Sequence, residues 1–131
     1  MVDDQRRKHP ELEEFFSHTR QDHFFIKNLE SIQGDERDVI FISVGYGRDQ
    51  NGRLTQTFGP LAAEGGERRL NVLISRAKER CTIFSSITAD DVKPAPGKLG
   101  VNAFREFLQY AEKGYFDVAQ IPASSLQLSR L

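Results

Sequence analysis

Cysteine and long apolar runs are nearly absent from this sequence of 131 residues. The one cysteine, Cys81, cannot form a disulfide within the chain, and three histidines do not supply a Cys/His ligand set for structural zinc. No apolar stretch approaches the roughly 20 residues that cross a bilayer, and no apolar signal-peptide core follows the charged residues 1–8. We therefore expect a chain that is neither secreted nor embedded in a membrane, in a reducing cytoplasmic compartment.

An excess of charge of one sign is also missing. The 18 lysines and arginines nearly balance the 19 acids, the mean hydropathy is -0.51, and 38% of the residues are hydrophobic. A chain of this size buries about two-thirds of its unfolded surface, so we expect one modest domain, residues 1–131, with a sizeable core. Positive charge is concentrated in residues 65–80, where five cations accompany two acids. This segment is either a solvated helix face or a phosphate-binding cluster.

The sequence lacks the loops that bind nucleotides on their own. No segment follows the Walker A pattern G-x-x-x-x-G-K-[ST], in which backbone amides and a lysine hold the phosphates. Gly45-Tyr46-Gly47 begins a dinucleotide-binding pattern, but Gln50 stands where the third glycine is required and no helix clearly opens there. We therefore do not expect a dinucleotide site or a Walker A site in this chain.

Arrangements for nucleophilic catalysis or metal binding are not evident either. The three histidines lie before residue 24, and Cys81 begins an apolar strand, which favours an inert buried thiol over a nucleophile. Asp35, Glu36 and Asp38 form an acidic group, but no matched set of further ligands accompanies them. The sequence therefore predicts no metal site.

Three apolar runs predict the strands of a buried parallel sheet. Residues 39–44 are continuous and largely β-branched, which is typical of a strand covered on both faces. Residues 24–26 and 81–84 are shorter apolar runs. Loops at strand ends carry ligands in open α/β sheets, so the polar loop 30–36 between the first two predicted strands is a candidate binding segment.

Helical spacing predicts the elements that flank this sheet. Pro10 followed by acids predicts a short helix that runs to about Ser17. Apolar residues at helical intervals predict a helix over 69–80, with the repeat Leu70, Leu73, Ile74 and Ala77. A second helix is predicted over about 100–113 and ends at Gly114; its repeat is Val101, Phe104, Phe107, Leu108 and Ala111.

The remaining segments complete an α/β interpretation. Residues 45–57 contain the turn sequence Gln50-Asn51-Gly52 and predict a hairpin or an extended excursion from the sheet. Residues 123–131 are expected to fray. No internal repeat or long linker divides the chain, so the fold class expected is α/β, a mostly parallel sheet flanked by helices.

Two segments are informative because they occur together in a fixed order. The first, Gln33-Gly34-Asp35-Glu36-Arg37-Asp38, precedes the strand of residues 39–44, and the second, residues 68–78, reads Arg-Arg-Leu-Asn-Val-Leu-Ile-Ser-Arg-Ala-Lys. They resemble motifs V and VI of superfamily 1 helicases, most closely the 1B group that includes RNA surveillance and DNA replication helicases. The resemblance covers about residues 22–86, a motif-bearing core with the expected order and spacing.

This resemblance implies a partial RecA-like domain of the P-loop NTPase class, the second of two motor domains that close around one ATP. It implies an ATP-dependent helicase that acts on single-stranded DNA or RNA, with ATP and Mg²⁺ bound mainly by a missing first RecA-like domain. The strand carrying motif IV is then expected before residue 1, as part of a larger protein. We expect no ATP hydrolysis by this chain alone, and weak self-association through an exposed sheet edge.

The resemblance also implies roles for individual residues. Arg76 corresponds to the arginine finger that reaches the γ-phosphate, a group worth about 10³ to 10⁵ in rate. Glu36 corresponds to the acid that meets the nucleotide ribose, Arg69 to a further nucleotide contact, and Gln33 with Gly34 to the loop that couples nucleotide state to the bound strand. The residues alone leave alternatives open: a solvated or capping acid for Glu36, and an intradomain salt bridge for Arg69.

Helix geometry adds an independent expectation about the two arginines. On one continuous helix, Arg69 and Arg76 would project from the same flank about 10 Å apart along the axis. The neighbouring apolar stripe would hold that helix rigidly against the sheet, so a guanidinium beside it could be aimed at a site formed with another domain.

Contact with nucleic acid is implied for Asn28 and Ser31. The family often has threonine where Asn28 stands, and an Ala-Leu-Thr run where this chain has Leu73-Ile74-Ser75, which keeps the apolar size and the hydroxyl. The motifs do not decide between DNA and RNA, and the resemblance favours 5′ to 3′ translocation. The alternative function is a noncatalytic RecA-like module that binds nucleic acid or protein; a nuclease is a third, but no matching set of acids and lysine is present.

Overall fold

The computed structural model describes residues 2–114. The described helices and strands are, in chain order, α1 Val2–Lys8, α2 Glu13–Phe16, β1 Arg37–Ser43, α3 Gly66–Ile74, β2 Ala77–Phe84 and α4 Leu99–Lys113, with 3-10 turns at Pro10–Leu12, Gly59–Leu61 and Ala89–Asp91. The predicted fraying of residues 123–131 lies outside the described residues.

The two strands form a parallel pair, which confirms the predicted α/β class. Ile40 lies opposite Cys81, and Ile42 lies opposite Ile83. Such pairs share one face of the sheet, and the helices α3 and α4 border Cys81 and Ile83 on that face. The predicted strands 39–44 and 81–84 are therefore confirmed, with helices packed on one side of them.

The start of the ladder is irregular. Arg37 pairs with Ala77, but Val39 pairs with Arg80, so β2 contains one residue more than β1 between these two pairs. An extra residue of this kind bends the strand locally and re-aims nearby side chains. The irregularity lies directly after residue 76 and so sets the approach of the second motif segment to the sheet.

β1 is covered on one face, and the prediction of two covered faces was wrong. Ile40 and Ile42 are buried, whereas Val39 and Phe41 are 39% and 62% exposed. The Phe41 ring lies 5.7 Å from the ring of Phe84, which is also exposed. A continuous apolar run indicates a strand, but it does not tell whether other parts of the structure cover its second face.

Residues 24–26 do not form the predicted strand. Their backbone is extended but belongs to no sheet, and the Phe24 amide donates a hydrogen bond to the Phe15 carbonyl at 2.6 Å. The Phe24 ring packs edge-on against Phe16 at 5.1 Å. The segment therefore packs against α2, because aromatic contacts replace the ladder that the apolar run predicted.

The predicted helix 69–80 is shorter than expected. α3 ends at Ile74, and residues from Ala77 onward belong to β2. Ser75 leaves the helical conformation with ψ of 3°. Pairing with β1 stabilises an extended backbone there, so the apolar spacing that placed Ala77 on a helix stripe was misleading.

The hydrophobic core lies where α3 and α4 meet the turn that ends at Leu61. Its buried members share contacts between these elements; they are Phe58, Leu61, Leu70, Ile87, Ala89, Val92, Val101, Phe104 and Leu108. Gly66 of α3 and Gly100 of α4 allow the closest approach. A Cβ on Gly100 would lie 2.7 Å from the Gly66 carbonyl carbon and closer still to the Leu61 carbonyl oxygen. Both glycines therefore serve backbone packing.

The other predicted elements agree with the structure. Arg48 and Leu54 form an antiparallel bridge around the turn at 49–52, which confirms a hairpin within residues 45–57. The helix after Pro94 and Pro96 is α4, and Gly114 ends it with φ of 74°. No helix within the described part of the chain is both long enough and apolar enough to cross a membrane.

Candidate functional site

The two motif segments meet at the amino ends of the parallel strands. Residues 33–36 lead directly into β1, and Arg76 immediately precedes β2. The Arg37 amide donates a hydrogen bond to the Arg76 carbonyl at 3.1 Å. The sequence predicts that this loop joins a strand of residues 24–26 to β1. Because residues 24–26 form no strand in the described structure, the loop is attached to the sheet only through β1 and lies at the amino end of that strand.

Arg76 lies just beyond the end of α3 and is half-buried. Its Nε donates to the Val72 carbonyl at 3.0 Å, and its Nη2 lies 3.2 Å from the Ser75 hydroxyl oxygen. A cation next to the last carbonyls of a helix is favourable, because those carbonyls carry partial negative charge. The guanidinium is thus held at the helix end with part of its donor set engaged.

Arg69 lies in the first turn of α3 and is half-buried as well. Its Nη1 donates to the Glu64 carbonyl at 2.8 Å and to the Pro60 carbonyl at 3.3 Å. Backbone carbonyls, and not a carboxylate, therefore hold this guanidinium. Since Arg76 is not part of the helix, the two arginines do not share one helix flank, and that prediction was wrong.

The loop before β1 is exposed. Gln33, Gly34 and Glu36 are all exposed, and Gly34 has φ of 88° with no atom within 4 Å of where a Cβ would stand. Glycine is favoured at this position because its backbone is left-handed, and not because a side chain would lack room. A Glu36 carboxylate oxygen lies 3.1 Å from Lys78 Nζ.

Sequence reasoning missed Lys78 as a member of this group. Its hydrogen bond with Glu36 raises the pKa of Lys78 above its usual value. Lys78 lies within the irregular start of β2, where the extra residue falls. The signal in the sequence was the position of Lys78 two residues after Arg76. That the Lys78 side chain contacts Glu36 of the loop is seen only from the pairing of the two strands.

Asn28 and Ser31 form a compact turn ahead of the loop. Asn28 Oδ1 accepts hydrogen bonds from the amides of Glu30 at 3.1 Å and Ser31 at 2.9 Å. The Ser31 hydroxyl in turn accepts one from the Asn28 amide at 3.2 Å. Both side chains are exposed but engaged with the backbone of the turn, an arrangement that shapes the chain at this point.

Two further contacts tie this turn and its preceding segment to the loop. Lys27 forms an ion pair with Asp35, whose hydrogen bond lowers the pKa of the Asp35 carboxyl. The Arg37 guanidinium donates to the His23 carbonyl at 2.9 Å and lies 4.7 Å from the Phe25 ring centre. Sequence analysis gave no signal for the Arg37 contacts, which hold residues 23–25 against the start of β1.

A cavity of about 1070 Å³ opens between residues 22–29 and the sheet. Its lining is mainly apolar, with Glu36 and Lys78 among the polar residues on its wall, whereas Arg76 lies outside it. The cavity therefore does not itself unite the predicted site residues.

The acids of the loop do not fit a Mg²⁺ site on this chain. Asp35 is paired with Lys27 and Glu36 with Lys78. Within residues 2–114, no three His, Cys, Asp or Glu side chains gather as a metal-binding group. Mg²⁺ prefers carboxylates that are free to coordinate it, so no chemical step on this chain is assigned to a metal.

Comparisons with known proteins identify sequence relatives of this chain. Residues 1–88 fit the family model described as an AAA domain. Over 89 residues, or 67% of the chain, it is 44% identical to a protein of Mycoplasma pneumoniae named an uncharacterized ATP-dependent helicase, and 43% identical to one of Mycoplasma genitalium with the same description. The chain spans 8% of the length of these relatives. No solved structure matches it. The chain therefore belongs to the AAA domain family.

Proposed function

We propose that this chain is the second motor domain of an ATP-dependent superfamily 1 DNA or RNA helicase, and that it completes the site of an ATP bound by a first RecA-like domain. The observation that carries the proposal is the meeting of two segments about 40 residues apart in sequence. The Arg37 amide bonds to the Arg76 carbonyl at 3.1 Å, and Glu36 lies 3.1 Å from Lys78. Acid, arginine and exposed loop are thus presented at one edge of the sheet.

In this proposal Arg76 is the catalytic residue. A guanidinium has five N–H donors, and the contacts with Val72 and Ser75 use Nε and Nη2. The remaining donors are available to oxygens of a transferring γ-phosphoryl group, where a fixed positive charge stabilises the transition state. Because the hydrogen bond to the Val72 carbonyl already restricts the Arg76 side chain, less conformational entropy is lost when Arg76 binds the phosphoryl group.

The other residues take binding roles. Glu36 would accept hydrogen bonds from the ribose hydroxyls, and this requires its ion pair with Lys78 to open. Arg69 would add positive charge on the side of the domain that faces the nucleotide. Gln33 and Gly34 would couple nucleotide binding to the strand site, because the exposed loop can move without displacing a buried side chain.

Single-stranded DNA or RNA is the proposed polymer substrate. Asn28 and Ser31 lie exposed on a turn ahead of the motif loop, and such short polar side chains contact phosphate and sugar oxygens. ATP with Mg²⁺ is the proposed cofactor, held mainly by the first domain. The single cysteine in the chain supports a reducing cytoplasmic compartment.

The chain by itself is expected not to hydrolyse ATP. It has no Walker A segment to hold the β- and γ-phosphates, so Arg76 has no positioned substrate to act on. Phosphate release should equal that of a protein-free control in the presence of ATP, Mg²⁺ and single-stranded polymer. Release above this control that disappears in the Arg76→Ala variant would contradict the expectation.

Weak self-association of the isolated chain is also expected. Among the described residues β1 has one strand partner, and an unpaired strand edge can pair with another copy. Light scattering over a range of concentrations should show an average mass above 14.9 kDa at the highest ones. A monomeric mass throughout would contradict this expectation.

A noncatalytic binding module is the alternative function. Both Arg69 and Arg76 bond to carbonyls of their own domain, and Glu36 bonds to Lys78, so each polar group has an intradomain partner. Turnover in the full-length protein separates the two functions. A motor hydrolyses ATP faster when single-stranded polymer is added, whereas a docking module binds polymer or protein without any ATP turnover.

A further inference from the structure

Arg37 is the first residue of β1, and its side chain is half-buried. All three nitrogens of the guanidinium donate hydrogen bonds to backbone carbonyls. Nε and Nη2 donate to the His23 carbonyl at 3.2 and 2.9 Å, and Nη1 donates to the Glu36 carbonyl at 2.7 Å. The Phe25 ring centre lies 4.7 Å from the guanidinium carbon, which adds a cation–π contact. One side chain therefore joins the start of the sheet to residues 23–25 and to the loop of residues 33–36.

The other contacts of residues 23–25 are made with the helical segment before them. The Phe24 amide bonds to the Phe15 carbonyl, and the rings of Phe24 and Phe16 pack edge-on. Neither contact involves the sheet. Within residues 2–114, the hydrogen bonds between residues 23–25 and β1 all come from the Arg37 side chain. This side chain therefore sets where residues 23–25 lie relative to the sheet.

Residues 23–25 lead directly into the turn of residues 28–31. Asn28 follows Phe25 by three residues, and three residues of chain span at most about 11 Å. The position of Phe25 therefore limits where the turn can lie. The ion pair between Lys27 and Asp35 is a second tie, but it joins the turn to the exposed loop through one contact of a long lysine side chain. Arg37 is the restraint that connects the turn to the sheet itself.

We infer that Arg37 is a positioning residue for the nucleic-acid contacts of Asn28 and Ser31. The inference rests on the proposed function, in which these two side chains contact the single-stranded polymer. Arg37 itself contacts neither polymer nor ATP; its guanidinium holds residues 23–25, and these residues place the turn. A turn that is already held in its binding position loses less conformational entropy when the polymer binds. Arg37 therefore acts on the affinity for polymer and not on turnover once polymer is bound.

Truncating the Arg37 side chain leaves the two motif segments joined. The bond from the Arg37 amide to the Arg76 carbonyl and the pairing with Ala77 are made by the backbone, and Glu36 keeps its ion pair with Lys78. Arg37→Gln should therefore leave turnover at saturating polymer and ATP within about twofold. The polymer concentration that gives half-maximal stimulation should rise about tenfold, because the charge-assisted hydrogen bonds to residues 23–25 are lost.

A mutant cycle in the full-length protein tests this inference, with ATP turnover stimulated by oligothymidylate or oligouridylate as the measurement. Asn28→Ala combined with Ser31→Ala removes the proposed polymer contacts and should raise the half-maximal concentration. Adding Arg37→Gln to this double variant should raise it further by less than about twofold, because Arg37 acts through the same contacts. Arg37→Lys keeps the charge but not the planar fork, so most of the increase should remain. Arg53→Gln removes an exposed arginine of the hairpin and should change nothing.

The outcomes separate this inference from the proposed function. If polymer stimulates the parent but Arg37→Gln or Arg37→Lys has the parental half-maximal concentration, the inference is wrong and the proposed function stands. An increase that multiplies with that of the Asn28 and Ser31 double variant would also overturn the inference, as would a parallel loss of saturated turnover, which indicates a general role in folding. A parent whose turnover is not stimulated by polymer would overturn the proposed function, and the inference with it.

Discussion

In the full-length protein, Arg76→Ala is expected to lower ATP turnover about a hundredfold or more, while binding of single-stranded polymer stays nearly unchanged. In the proposed mechanism, the side chain reaches the transferring phosphoryl group, and Asn28 and Ser31 make the polymer contacts. Among residues 2–114, the substitution removes the side-chain hydrogen bonds that Arg76 makes with Val72 and Ser75. Removing a cation from a helix end costs only about 0.3–1 kcal/mol.

Matched variants separate catalysis from folding. Arg76→Lys keeps one positive charge but lacks the planar fork, so most of the loss in turnover should remain. Arg68→Ala removes an exposed arginine from the same basic segment and should leave turnover unchanged. A parallel loss of turnover and polymer binding in Arg76→Ala would indicate that the side chain supports the fold and does not act on ATP.

Gly100→Ala is expected to destabilise the chain more than any surface substitution. The new Cβ would lie 2.7 Å from the Gly66 carbonyl carbon and 2.8 Å from the Glu67 amide nitrogen, and closer still to the Leu61 carbonyl oxygen. These are backbone atoms of two other elements, so the clash is relieved only by separating α3 from α4. We expect the free energy of unfolding to fall by about 3 kcal/mol or more, and the Tm to fall by about 10 °C or more.

Gly66→Ala should behave in the same way, because its Cβ would meet the backbone of Leu61. Gly45→Ala is the matched control, since no atom lies within 4 Å of its Cβ position and its φ is not in the left-handed region. That substitution should change the free energy of unfolding by less than about 1 kcal/mol. Thermal unfolding followed by circular dichroism measures the Tm of all three variants. A Tm of Gly100→Ala or Gly66→Ala similar to that of Gly45→Ala would contradict the packing described for the two helices.

Sequence patterns predicted the elements that depend on local signals. α4 combines a regular apolar face with Gly114 at its end, and the strand of residues 39–44 is strongly β-branched. The helix predicted over 69–80 failed at Ala77 because helical spacing is a local signal, whereas pairing with β1 is not. Residues 24–26 failed for the same reason, since contacts with Phe16 fix their path.

The candidate site was predictable in part. Two sequence motifs indicated that residues 33–36 and Arg76 belong together, and the structure brings their backbones into contact. The pairing of Glu36 with Lys78 was not predictable, because it depends on the register of the two strands.

The extra residue at the start of β2 has a consequence for how the protein can change over evolutionary time. From the pair Val39 and Arg80 onward, a shift by one residue would turn buried side chains such as Ile40 to the surface, so insertions there are penalised. Arg76 lies on the other side of the irregularity. Its direction can therefore be altered by gaining or losing a residue at 78–79 while the core pairs keep their faces.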